Sequence, residues 1–132
     1  MGFLSDLNKA FWTMPPKVVA SIKSSDGKTT FILHEDDVQK KEGLNYETKP
    51  LEGTVARIES GSELESRVTA TRLVALGVFA FALKKKKGGE KYVTIEGDDF
   101  VWAIEVDRKQ SKEAFRFITT YNNQVKQQNI AG

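Results

Sequence analysis

Four consecutive lysines, Lys84, Lys85, Lys86 and Lys87, with Lys91 close behind, form the densest block of charge in the chain. Lysine ammonium groups act as point charges toward phosphate, so the run suits lipid head groups or a nucleic-acid backbone, at roughly 1 kcal/mol per lysine near an anionic surface. At the end of an apolar strand the same run also guards an edge against pairing with other chains. Other chemistry finds less material. The single histidine, His34, precedes Glu35, Asp36 and Asp37, but the Asp-x-Asp-x-Asp-Gly spacing of a calcium loop is absent. Asp98 and Asp99 after Gly97 read as turn residues. No Gly-x-Ser-x-Gly element occurs, and Gly88-Gly89 lacks the Lys-Ser/Thr of a phosphate loop. Arg67 and Arg72 at strand ends fit pairing with acids such as Glu65 or Glu105. These residues predict no catalytic group, no metal and no cofactor, and no small-molecule substrate is evident.

The absence of cysteine removes a disulfide scaffold, a thiolate zinc site and a thiol nucleophile, and fits a reducing compartment. Apolar residues make up 39% and charged residues 29% of 132, enough for one domain with its own core. Residues 1–66 hold 8 Lys and Arg against 11 Asp and Glu, whereas residues 67–132 hold 12 against 7. The basic half is the one expected to meet an anion or an acidic partner. The longest uncharged apolar run, Leu73–Leu83, would span only about 16 Å as a helix, half a bilayer core. Met1–Asp6 has no basic stretch and is broken by charge, so no secretory leader is expected. A cytoplasmic protein, at most peripheral at a membrane, is the expectation.

The elements that must position these groups are mostly strands. The alternation predicts strands at Thr30–His34 and Val38–Lys41 around a tight acidic turn, then Thr54–Glu59 closed by Ser60–Ser62. Further strands are predicted at Arg67–Leu73, Gly77–Lys84, Lys91–Glu96 and Phe100–Val106, the last with Phe100, Trp102, Ile104 and Val106 inward. Residues 43–52 read as a loop with Pro50, and Lys17–Lys23 as either an extra strand or a linker. Ser24–Gly27 is turn chemistry. A helix from about Ser111 to Gln127 buries Ala114, Ile118, Tyr121 and Val125, with Phe115 and Phe117 at the flanks of the stripe. Asp107 with Gln110 fits a capping box ahead of it. The inward aromatics argue against base stacking, so nucleic acid is an unfavoured partner.

The stretches Pro50–Glu59, Ser66–Leu73, Leu76–Lys85 and Tyr92–Glu96, with the Trp102 strand before the last helix, resemble the bacterial pleckstrin-homology-like (PH-like) domains. The resemblance covers residues 29 to 126. It implies an α+β, mostly β fold: a seven-stranded, partly open antiparallel barrel of two nearly orthogonal sheets, capped by a C-terminal helix. It divides the chain into an N-terminal amphipathic helix and linker (1–28), a PH-like domain (29–127) and a flexible tail (128–132). With no catalytic motif in the chain, an architecture of this kind is expected to serve as a non-catalytic binding or scaffolding domain acting through protein contact or self-association. Eukaryotic members that bind phosphoinositides use a basic first hairpin. Here the corresponding early hairpin carries Glu35, Asp36 and Asp37, the opposite sign.

Residues 2–14 predict an amphipathic helix ended by Pro15-Pro16. Phe3, Leu7, Phe11 and Trp12 put large apolar side chains on it, each worth roughly 1.5–3 kcal/mol when buried. Asp6 opposes Lys9 on the polar side, unlike the basic face of an interfacial helix, so contact with a protein or a second copy is the expected use. An anionic membrane met through Lys84–Lys87 is the alternative. Deleting residues 1–16 is expected to leave the domain folded while lowering its mass in solution or its affinity for a partner. Light scattering beside thermal melting reads this, and a deletion that unfolds the domain would place the helix on its own core.

Overall fold

The computed structural model describes residues 17–67 and 91–131, with backbone alone at 65–67 and 131. The expected N-terminal helix with Phe3, Leu7, Phe11 and Trp12, the strands expected over 68–73 and 77–84, and Lys84, Lys85, Lys86 and Lys87 lie outside the described residues.

Strands β1 (Ala20–Lys23), β2 (Thr29–Leu33), β3 (Asp37–Glu42) and β4 (Asn45–Pro50) form one antiparallel sheet in chain order. Strands β5 (Val55–Ser60), β6 (Lys91–Glu96) and β7 (Val101–Val106) form a second. Helix α1 (Gly61–Arg67) follows β5, and a 3-10 turn (Arg108–Gln110) leads from β7 into helix α2 (Ser111–Ala131). The fold is therefore α+β and mostly β, and among the described residues neither sheet closes on itself.

Alternation builds the first sheet: Ile22, Phe31, Leu33 and Val38 point to one side and are buried, while Ser21, Ile32 and Gln39 face the other. In the second sheet Ala56, Val93, Ile95, Trp102, Ile104 and Val106 face the same core. Its other face is buried as well, at Tyr92, Thr94 and Val101. Trp102 sits between Phe31, with ring centroids 6.0 Å apart, and Phe100, at 4.8 Å, as the inward reading of the last strand expects. The two sheets approach each other where the Ser25 amide donates to the Glu105 carbonyl at 2.8 Å.

Of the two readings of Lys17–Lys23, the strand is the one observed, at Ala20–Lys23. Three elements depart from the sequence reading. Residues 45–50 of the expected loop are β4, an edge strand exposed at most positions, so it has no alternation to read. Gly43, at φ +60°, opens the two-residue turn that starts it. Ser60–Ser62 is a helix start rather than a strand-closing turn, and Arg67 ends that helix rather than beginning a strand. The Ser60 hydroxyl accepts from the Glu63 amide at 3.1 Å, and the Glu63 carboxylate accepts from the Ser60 amide at 3.0 Å, a capping box. The last helix runs to Ala131, a turn past Gln127.

The final helix lies against β5 and β1. The expected capping box at Asp107 and Gln110 is present and starts the 3-10 turn. The buried stripe is Ala114, Phe117, Tyr121 and Val125, with Ile118 half-buried and Phe115 64% exposed, so the stripe is rotated toward Phe117. Thr54 donates its only hydroxyl proton to the Leu51 carbonyl at 2.6 Å, which makes Tyr121 the donor to Thr54 Oγ1 at 2.7 Å. Burial pushes the Tyr121 phenol up to about 12, with the Thr54 contact working the other way. An unfolded tyrosine ionises near 10, so the folded protein holds this proton where the unfolded chain loses it. Stability from this residue is complete below about pH 10 and is lost as pH climbs toward about 12, by on the order of 2–3 kcal/mol. Urea unfolding at about pH 9 and about pH 12 should show this loss in the parent and not in Tyr121→Phe. Equal alkaline losses in the two proteins would contradict the assignment.

Candidate functional site

His34 is buried, and its Nδ1 lies 2.6 Å from Asp37 Oδ1. The neighbouring Glu35 carbonyl accepts from Gln124 Nε2 at 2.7 Å and Gln128 Nε2 at 2.8 Å. The acidic turn is thus fastened to the last helix, with its histidine satisfied inside the fold rather than on the surface. Among the described residues no three His, Cys, Asp or Glu side chains converge to hold a metal.

The first hairpin of the fold is not this acidic turn. Because Ala20–Lys23 is a strand, the first hairpin is β1–β2, whose turn spans residues 24–28. The Ser24 hydroxyl donates to Asp26 Oδ1 at 2.6 Å, which also accepts from the Lys28 amide at 3.0 Å. The Thr29 amide donates to Ser24 Oγ at 3.1 Å, and Gly27 takes the left-handed conformation at φ +75°. Gln110 Nε2 donates to the Lys23 carbonyl at 2.6 Å, anchoring the end of β1.

That hairpin and the β3–β4 turn enclose an open concavity of about 430 Å³, walled by Lys23, Gly27, Lys28, Thr30, Lys41 and Gly43. Strand register explains the grouping. Lys23 pairs with Thr30, Thr30 with Lys41 and Lys41 with Tyr46, so one row crosses the outer face of all four strands. Two strand spacings put the Lys23 and Lys41 backbones roughly 10 Å apart, within reach of one phosphate-bearing group for two long side chains. The three lysines are exposed, and among the described residues none of them makes an ion pair. Lys41 lies over the Tyr46 ring at 5.7 Å.

The lysines on the inner side of the same strands are occupied. Lys40 reaches Glu42 at 3.4 Å and Glu47 at 3.5 Å and lies over Trp102 at 5.3 Å. Lys49 reaches Asp99 at 3.6 Å and lies over Phe100 at 5.2 Å. A smaller hollow of about 170 Å³ on that side, between Lys40, Glu42, Asn45, Tyr46 and Glu47, mixes both signs. Among the described residues, only the outer row gathers cations without carboxylates in its wall.

Lys91, from the expected anion-contact set, is exposed at the start of β6 and is not in this wall. The Glu63 carboxyl is held below its ordinary range by the Ser60 amide and hydroxyl, with the Lys91 charge adding to them. Lys23, Lys28 and Lys41 were not singled out by sequence reasoning. Their signal is register: each is an ordinary exposed lysine until the pairing of β1, β2 and β3 sets them in one row. No helix among the described residues is long and apolar enough to cross a membrane.

Comparison with protein-family models, with curated proteins and with solved structures finds no match.

The Asp26 carboxyl is held below its ordinary 3.8 by the Ser24 hydroxyl first and the Lys28 amide second. A lowered folded value means that the turn's contribution is complete above about pH 4 and is lost as pH falls through the folded pKa. The amide resonance of Lys28 should therefore titrate with a midpoint below 3.8. A midpoint at or above that value would show that the hydrogen-bonded turn does not persist in solution.

Proposed function

We propose that this chain is a non-catalytic PH-like binding module, a seven-stranded, partly open barrel capped by its C-terminal helix. Its ligand is a phosphate-bearing anion held by Lys23, Lys28 and Lys41. A four-strand antiparallel meander, a three-strand antiparallel sheet and a final helix across β5 and β1 support the fold reading. The seven described strands are not the seven the alternation predicts: β4 is additional, β1 takes the strand alternative left open for Lys17–Lys23, and the strands expected over 68–73 and 77–84 lie outside the described residues. The row of cations on the outer face of the first sheet carries the functional reading. Three ammonium groups without a carboxylate in the wall create a positive local potential that a diffuse surface charge would not. Lysine suits an anion of variable geometry, because its charge is compact and its stem flexible.

A second reading keeps protein contact or self-association through Phe3, Leu7, Phe11 and Trp12, supported by the apolar character of that segment. Lys84, Lys85, Lys86, Lys87 and Lys91 extend the anionic-surface reading, and the protein is proposed to be cytoplasmic or peripheral at a membrane.

At roughly 1 kcal/mol per lysine, replacing Lys23, Lys28 and Lys41 together with glutamine should weaken pyrophosphate binding about 100-fold. Calorimetric titration at low salt measures it, and raising the salt should weaken the parent in the same direction. An unchanged affinity in the triple variant, or a parent that binds no pyrophosphate at low salt, ends the proposal.

A further inference from the structure

Strand β4 ends the first sheet, and among the described residues no strand lies beyond it. The ladder to β3 shows which of its main-chain groups face that edge. The Leu51 amide donates to the Asp36 carbonyl at 3.1 Å, so residues 36 and 51 belong to the hydrogen-bonded pairs of the ladder. Such pairs alternate along an antiparallel ladder, which makes Val38 with Lys49, Lys40 with Glu47 and Glu42 with Asn45 the others. Tyr46, Thr48 and Pro50 fall between them, and their main-chain groups point away from β3. Residues 45–48 and Pro50 are exposed, so these groups are open to water. An edge of this kind is a template for another strand, and its own side chains fit a second copy of itself.

We infer that β4 pairs antiparallel with β4 of a second copy, about a two-fold axis at Thr48. An axis perpendicular to the sheet keeps each face on its own side, so it must pass through a residue rather than between two. At Thr48 the outward amide and carbonyl of each copy bond those of the other. On either side the Tyr46 amide meets the Pro50 carbonyl of the other copy, and the Tyr46 carbonyl stays at the margin in water, because proline has no amide to give. Glu47 then lies opposite Lys49 of the other copy in the closer, non-hydrogen-bonded kind of pair. Within each copy Glu47 already holds Lys40 at 3.5 Å, and Lys49 already holds Asp99 at 3.6 Å. Pairing joins these contacts into chains of alternating sign: Lys40 and Glu47, then Lys49 and Asp99 of the other copy. An axis at Glu47 makes as many main-chain bonds but sets that carboxylate against its own copy, and an axis at Lys49 opposes two lysines. An axis at Tyr46 runs the strand into the turn at Gly43 and Leu44. On the outer face the axis at Thr48 brings the Tyr46 ring, 55% exposed, against Pro50 of the other copy. The contact uses none of Lys23, Lys28 and Lys41 and stands apart from the anion-binding reading.

Sedimentation velocity from about 10 µM to about 1 mM should show a reversible monomer–dimer equilibrium. Thr48→Pro removes the outward amide at the axis without touching the ladder to β3. It should raise the dissociation constant about 30-fold, since both bonds at the axis are lost. Glu47→Lys and Lys49→Glu should each be more monomeric than the parent. Mixing those two variants should restore a dimer, because every directly opposed pair is again of opposite sign. The chain has no cysteine, so Thr48→Cys sets one thiol across from its own copy at roughly 5.5 Å between Cα atoms, within disulfide reach. It should oxidise to a covalent dimer, whereas Tyr46→Cys should not. A parent that stays monomeric throughout overturns the inference, as does a dimer that neither Thr48→Pro nor the charge reversals weaken. A dimer lost only on deleting residues 1–16 assigns association to that segment and overturns the β4 axis. Crosslinking at Tyr46→Cys in place of Thr48→Cys overturns the register. Should Thr48→Pro fail to fold, the mixed charge variants decide the matter alone.

Discussion

Among the described residues strand β5 lies at the edge of its sheet, and an edge strand has amides and carbonyls that must find partners once helix α2 covers them. Asn122 supplies those partners. Its Oδ1 accepts from the Ala56 amide at 3.0 Å, and its Nδ2 donates to the Ala56 carbonyl at 2.9 Å. One side-chain amide thus does for β5 what a neighbouring strand would do. Tyr121, the residue before it, sends its hydroxyl to Thr54 at the approach to the same strand. With this edge satisfied, the stripe of Ala114, Phe117 and Val125 can close over the core without leaving buried polar groups unpaired. Among the described residues no buried side-chain nitrogen or oxygen lacks a partner.

The lysine row depends on that closure at one remove. Helix α2 also rests on β1, and the turn just before the helix ties Gln110 to the end of that strand. At four residues β1 is short, and its own ladder to β2 is its main support. Fixing both its carbonyl at Lys23 and the amide two residues on, Ser25 to Glu105, holds the first hairpin in register with the third strand. Only in that register do Lys23 and Lys41 share a row. A slip of one residue in β1 would send Lys23 to the core side and Ile22 to solvent, which the burial of Ile22 forbids.

The parts of this fold that could be read from the sequence are those where one face is buried and the other is not. β2 and the final helix bury one regular set of side chains, and a period of two or 3.6 follows directly, whereas β6 is buried on both faces and is marked instead by its run of β-branched and aromatic residues. At Phe115 and Phe117 periodicity no longer decides burial. Both flank the predicted stripe, and which one is buried depends on where β5 and β1 lie beneath the helix. β4 is exposed almost throughout, so burial imposes no pattern on it. The helix at Gly61–Arg67 is short, and the Ser60 and Glu63 pair was its only local signature. The site was hidden for another reason. Its three lysines come from one turn and two strands, and the pairing that joins them is a tertiary fact.

Net charge by segment pointed away from this site. Lys23, Lys28 and Lys41 all fall in the half of the chain that carries the acidic excess. Folding sorts those charges by strand face rather than by position along the chain. On β3, Lys40 turns inward to Glu42, Glu47 and the Trp102 ring, while its neighbour Lys41 turns outward with only the Tyr46 ring beside it. Adjacent residues of the same type thus serve opposite ends, one in holding the hairpin to the core and one in leaving charge available to a ligand. The sequence places the two lysines side by side, and the two-residue period of the strand separates their roles.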